Sequence, residues 1–169
     1  SEILKTTTHY DNVKTFMEGT NQPTPKVYTV PTEAQRILRA RLIMEETLEL
    51  IIRGLGIDLT CNRPHGVIID ESNGKLDNFK FTVNQNTYDP IELIDGVCDV
   101  RVTSTGALVD IGVPDSIFID AVDDNNILKL VCGHTDPVTN KFIKPQNHPA
   151  PDILRLLDLV IANQQIHTD

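Results

Sequence analysis

At 169 residues, with 24 acidic against 15 basic side chains and a net charge of −9, the chain has about the length of one domain able to bury a core without disulfide or zinc staples. The acid excess argues against broad nucleic-acid binding, which needs a basic face. It leaves nucleotides open, because a carboxylate-held metal presents positive charge to phosphate. The three cysteines, Cys61, Cys98 and Cys132, lack the paired spacing of a zinc site or a secreted scaffold, which implies free thiols in a reducing cytosol. Neither a leader-like segment nor a bilayer-spanning apolar run is found, so a soluble, cytoplasmic protein without a membrane partner is expected.

The first stretch, residues 1–9, is polar and threonine-rich and reads as a loosely held arm. Tyr10, Val13, Phe16 and Met17 recur at helical spacing, predicting a short amphipathic helix over residues 10–19 that Gly19 stops. Residues 20–31 hold Pro23, Pro25 and Pro31, enough to stiffen an extended surface connection. Thr32-Glu33 then supplies an N-cap and an early acid for a long helix ending near Gly54 or Gly56. Its apolar residues, among them Ile37, Leu38, Leu42, Ile43, Met44, Leu48 and Ile51, are too many for a one-sided surface helix and predict cover on several sides.

Residues 57–88 read as a hairpin or an irregular insertion. Val67-Ile68-Ile69 and Phe79-Lys80-Phe81-Thr82-Val83 have strand character, and residues 70–78 between them are turn-rich. Asp89-Pro90 opens a second long helix, Asp89 at the cap and Pro90 at the first position, running to Gly112. The β-branched residues of 97–105 also permit a strand there. A further helix starts at Val113-Pro114-Asp115, with Ile117, Phe118, Ala121, Val122, Leu128 and Leu130 as its expected buried side. Residues 132–151 are irregular, and a short closing helix over residues 152–162 carries Ile153, Leu156, Leu157, Val160 and Ile161. The fold class is therefore all-α, one domain over residues 1–169, with a small β insertion at 57–88.

The chemistry concentrates in the two long helices. Glu45, Glu46 and Glu49 lie at i, i+1 and i+4 of the first, and Glu92, Asp95 and Asp99 at i, i+3 and i+7 of the second. Carboxylates crowded at this spacing repel one another, and partial burial raises the cost of ionising them. Two such stripes, each in an apolar helix, are best buried face to face around a positive charge. With only oxygen donors, a hard dication such as Mg²⁺ or Mn²⁺ suits them. The plain alternative is solvated acids, or partners for Arg36, Arg39, Arg41, Arg53 and Arg101. The histidines His9, His65, His134, His148 and His167 share no spacing and read as surface residues in loops or tails, and Cys98 reads as core. No nucleophile elbow or glycine-rich phosphate loop is present, which argues against covalent catalysis.

The order Glu-Glu-x-x-Glu (Glu45, Glu46, Glu49), then Glu-x-x-Asp (Glu92, Asp95), resembles the all-α nucleoside triphosphate pyrophosphohydrolases, and in particular their MazG-like subgroup from bacteria and phages. The Asp-Pro-Ile-Glu opening of the second helix, the following Gly-Val-Pro, and the late Asn126, Lys129, Lys141, Lys144 and Pro151-Asp152 add to the likeness, which covers residues 10–157. The 42 residues between Glu49 and Glu92 are more than compact members of the family have.

The resemblance implies hydrolysis of a (d)NTP to the monophosphate and pyrophosphate, with two or three Mg²⁺ or Mn²⁺ ions per site. Glu46, Glu49, Glu92 and Asp95 would be the main ligands. Glu45 would hold a further ion or orient and deprotonate the attacking water, and Asp99 would support the ligands from one turn beyond Asp95. Lys129, Lys141 and Lys144 would clamp the phosphates with Asn126, while Asn12, Phe16 and Asn21 would border the base, although ordinary helix packing accounts equally well for Phe16. Some phage members hydrolyse dGTP to supply dGMP for DNA containing 2-aminoadenine, and this chain looks like that kind. A dUTPase, a phosphoribosyl-ATP pyrophosphatase and a non-catalytic, metal-stabilised helical interaction module are the alternatives. Apolar residues nearly all round the long helices predict a homo-oligomer, dimer or tetramer.

Overall fold

A computed structural model describes residues 7–61, 79–84 and 88–168. These form five α-helices and two small antiparallel sheets: α1 His9–Gly19, α2 Glu33–Glu49, a π turn Leu50–Gly54, β1 Ile57–Cys61, β2 Phe79–Val83, α3 Pro90–Asp110, α4 Ser116–Lys129, β3 His134–Thr135, β4 Phe142–Ile143 and α5 Ile153–Thr168. Among the described residues no helix is long and apolar enough to cross a membrane. The chain divides into two compact units, one of residues up to Pro31 together with those from Thr105, the other Thr32–Ser104.

In the first unit α1 starts on a capping box, Thr8 accepting from the Asp11 amide and Asp11 from the Thr8 amide. The buried apolar residues are Val13, Met17, Val109, Val113 and Leu156. The proline-rich strap is pinned at two points: Thr29 N donates to Ile111 O at 3.0 Å, and Tyr28 N to Gln164 Oε1 at 2.8 Å. Gln164 Nε2 returns a bond to Gly112 O at 2.8 Å. Gly112 has φ +70°, and a Cβ there would collide with the Val27 carbonyl oxygen, so the turn after α3 requires glycine.

The expected buried side of α4 is corrected. Phe118 and Ala121 are half-buried, but Ile117, Val122, Leu128 and Leu130 are exposed, and the buried residue is Asn125. Apolar residues occupy both flanks of this helix, and the contacts favour the line through Phe118, Ala121 and Asn125. Asn125 meets the cost of burial with bonds to Pro149 O at 2.9 Å and His148 Nε2 at 3.3 Å. The stretch read as irregular contains the β3–β4 hairpin, its turn closed by Asp136 Oδ1 accepting from Val138 N at 2.8 Å. Helix α5 continues to Thr168, beyond the expected 162, with Leu156 buried and Leu157, Val160 and Ile161 half-buried.

In the second unit Thr32 caps α2 reciprocally with Gln35, at 3.2 and 2.6 Å. The α-helical pattern gives way at Leu50 to a π turn, closed by Leu55 N donating to Leu50 O at 3.0 Å. Strand β2 stands where it was expected, but it pairs with β1, in the register Ile57↔Val83 to Cys61↔Phe79. The expected strand Val67–Ile69, the turn at 70–78 and His65 lie outside the described residues, as do residues 1–6 of the expected arm. Asp89 Oδ1 caps α3, accepting from Ile91 N at 2.9 Å and Glu92 N at 3.3 Å.

Residues 97–105 are helical despite their β-branching. Thr103 Oγ1 donates to Asp99 O at 3.1 Å and Ser104 Oγ to Val100 O at 2.6 Å, so the hydroxyls bond within the helix. Full cover of α2 is not found: its buried residue is Arg39, while Ile37, Leu38, Met44 and Leu48 are exposed. Cys98 is exposed rather than core, as are the free thiols of Cys61 and Cys132. Two helices and a two-stranded sheet enclose too little volume to bury apolar residues on every side.

Candidate metal centre

All six acids of the two stripes belong to the second unit, Glu45, Glu46 and Glu49 on α2, Glu92, Asp95 and Asp99 on α3. Glu46 and Asp99 are half-buried, and the other four are exposed. Desolvation, followed by the charges of Asp99, Glu49, Glu45 and Asp95, raises the Glu46 pKa above its ordinary value. Desolvation, then Asp95 and Glu49, does the same for Asp99. Acids of α2 and α3 therefore act on each other across the helix pair, and the strongest charge on Glu46 is that of Asp99. The family resemblance, not the spacing, placed Asp99 behind Glu92 and Asp95 as a supporting residue.

Counter-charge is sparse among the described residues. Arg53 lies 3.9 Å from Glu49 with both side chains more than half exposed, a pair worth about 0–1 kcal/mol. Arg39 Nη1 donates to the Thr103 carbonyl at 3.2 Å. Among the described residues Glu45, Glu46, Glu92, Asp95 and Asp99 have no ion-pair partner. Also among them, no group of three or more His, Cys, Asp or Glu side chains is gathered closely enough to hold a metal ion as placed. The donor chemistry nonetheless fits a hard dication: the six acids of the two stripes offer only carboxylate oxygens, and the desolvation and like charge that raise the proton affinity of Glu46 and Asp99 are what a bound cation would relieve.

Helix geometry around the acids is set at the π turn. Gly54 and Gly96 are both buried, and there α2 and α3 approach through their backbones, Gly54 against Leu93 and Gly96 against Leu50. Glu49 directly precedes the π turn, and Asp95 directly precedes Gly96.

The remaining residues belong to the first unit. Lys129, half-buried in the last turn of α4, donates from Nζ to Asn126 Oδ1 at 2.9 Å. Lys141 and Lys144 flank β4 and are exposed. Asn12 accepts from Thr7 Oγ1 at 3.2 Å. Phe16 is 61% exposed on α1, so core packing does not account for it. Asn21 takes a left-handed turn conformation, φ 61°. Of the histidines, His9 opens α1, His134 lies in β3, His148 bonds Asn125, and His167 is in the last turn of α5. No family model matches the chain, and no curated protein matches it in sequence.

Proposed function

We propose that the chain is a MazG-like, metal-dependent nucleoside triphosphate pyrophosphohydrolase that converts (d)GTP or another dNTP to its monophosphate and pyrophosphate. The observation that carries this is the placing of six carboxylates on α2 and α3 of one unit, beside the close approach at Gly54 and Gly96, with no cationic partner for Glu46, Asp95 and Asp99 among the described residues. A bound Mg²⁺ or Mn²⁺ supplies positive charge to the phosphates and acidifies water. Glu46, Glu49, Glu92 and Asp95 would hold it, and Glu45 would orient the attacking water and take its proton. Asp99 keeps Glu46 in an acidic setting that favours a cation. The assignment of Lys129, Lys141, Lys144 and Asn126 to the phosphates, and of Asn12, Phe16 and Asn21 to the base, rests on the resemblance.

The apolar residues that α2 and α3 leave uncovered support a homo-oligomer, dimer or tetramer, working in the cytoplasm of the cell or of a phage's host. Met44 is 57% exposed, Ile91 73% and Ile94 63%, apolar surface of the kind that marks an interaction site where it is contiguous. A sedimentation experiment returning a monomer at working concentration argues against that assembly. The same exposed faces also favour the second reading, a metal-stabilised interaction module without catalysis.

The deciding experiment incubates the protein with the four common dNTPs, dUTP and GTP, with Mg²⁺, Mn²⁺ or EDTA, and separates products by anion exchange. Monophosphate and pyrophosphate from one purine nucleotide, lost in EDTA and in Glu46→Ala, are the expected outcome. Turnover of dUTP alone turns the reading to a dUTPase; phosphoribosyl-ATP belongs in the same panel. No turnover by folded, metal-binding protein leaves the interaction module.

A further inference from the structure

The end of α2 and the start of α3 are clasped together from several sides. A Cβ built on Gly54 would lie 2.7 Å from the Leu93 Cα and 3.0 Å from its nitrogen, where carbon–carbon contacts run at about 3.5–4.0 Å. A Cβ on Gly96 would lie 3.0 Å from both Cα and Cβ of Leu50. Leu50 and Gly54 are the two ends of the π turn, and Leu93 and Gly96 span one turn of α3, so the elements interlock at both ends of a single turn. Hydrogen bonds close the clasp. Asn84 Nδ2 donates to Ile52 O at 3.0 Å, while Asp89 N donates to Gly54 O at 3.2 Å and Asn84 N to Gly56 O at 2.8 Å. The Ile52 and Gly54 carbonyls are among those that a helix end leaves without partners, and the Gly56 bond continues the β1–β2 pairing.

We propose that Gly54 and Gly96 are positioning residues that, through the π turn, set the spacing between the acids of α2 and those of α3, a role that rests on the metal-binding reading of those acids. A methyl group at Gly54 must push the Leu93 backbone away by roughly 1 Å to reach ordinary contact. The displacement falls on Glu92, directly before Leu93, and on Asp95, two residues after it, and moves them away from Glu46 and Glu49, so the carboxylates converge less well on one cation. Alanine is the better helix former, so a loss of metal affinity cannot come from local helix propensity.

The test titrates Mn²⁺ alone into wild type, Gly96→Ala, Gly54→Ala and, as control, Gly19→Ala, where a Cβ meets nothing within 4 Å. Free Mn²⁺ is read by electron paramagnetic resonance and helix content by circular dichroism. Expected is saturable binding by wild type and Gly19→Ala, with affinity weakened about 10-fold or more in folded Gly96→Ala and further in Gly54→Ala. Should Gly54→Ala not fold, the smaller intrusion in Gly96→Ala decides alone. Wild-type affinity in the folded glycine variants, even with a lowered Tm, overturns the positioning role and leaves the metal site standing. Absence of Mn²⁺ binding by wild type overturns the metal reading, and the positioning role with it.

Discussion

Glu46→Gln retains the shape of the side chain and removes its charge. In metal-free protein Glu46 is disfavoured by desolvation and by four like charges, Asp99, Glu49, Glu45 and Asp95. Like-charge neighbours on helices cost about 0.2–0.5 kcal/mol each, so neutralising Glu46 relieves about 1–2 kcal/mol at low ionic strength. For a chain of this length each kcal/mol moves Tm by about 2–4 °C. In EDTA the variant should therefore melt roughly 2–8 °C above wild type. Saturating Mn²⁺ should reverse the order, because wild type gains the binding free energy and the variant, short of one ligand, gains less. Paired thermal melts by circular dichroism, with EDTA and with Mn²⁺, test both halves. A variant that melts below wild type in EDTA refutes the reasoning, since it means that the Glu46 charge already has a favourable partner.

The same carboxyls set a pH signature. Folded-state pKa values of Glu46 and Asp99 are raised above the ordinary 4.5 and 3.8, so their contribution to stability is full below those ordinary values and lost as pH rises through the raised ones. In EDTA the advantage of Glu46→Gln/Asp99→Asn at pH 7 should accordingly vanish once the pH falls below 3.8; an advantage that persists there sinks the assignment. Gly112→Ala forces φ +70° on a residue with a Cβ and should cost about 1–3 kcal/mol from backbone strain before any clash with Val27, measurable by urea titration. A cost near zero would mean that the strap is not held against the turn. Met17→Ala empties one of the most enclosed sites, 2% exposed, and should cost about 2–5 kcal/mol, whereas Phe16→Ala, one residue away and 61% exposed, should cost well under 1 kcal/mol. Equal costs would contradict the side of α1 that is buried.

Local chemistry was enough to place the helices. Thr32 with Glu33, Asp89 with Pro90, and Gly112 each start or stop a helix through preferences spanning a few residues, so the sequence alone locates the starts of α2 and α3 and the end of α3 within a residue or two; it runs α2 on to Gly54 or Gly56, where the structure has a π turn from Leu50. The acids were legible for the same reason: helical spacing puts Glu45 with Glu49, and Glu92 with Asp95 and Asp99, whatever surrounds them. Strand β2 was legible from its aromatic and β-branched residues, but β1 was not, because Ile-Asp-Leu-Thr-Cys follows a glycine-rich helix end and acquires its partner only from a distant segment.

What tertiary structure decided was which side of each element faces inward. On α4 it chose the line through Asn125 over the flanking leucines, on α3 it left Cys98 exposed, and on α2 it buried Arg39 while leaving Ile37, Leu38 and Met44 uncovered. It also brought Asp99 of α3 to bear on Glu46 of α2, beside the close approach at Gly54 and Gly96. Periodicity shows which residues share a face. Where apolar residues run round most of a helix, however, several faces have similar transfer free energies, and only the non-local contacts that the chain can close determine which is buried.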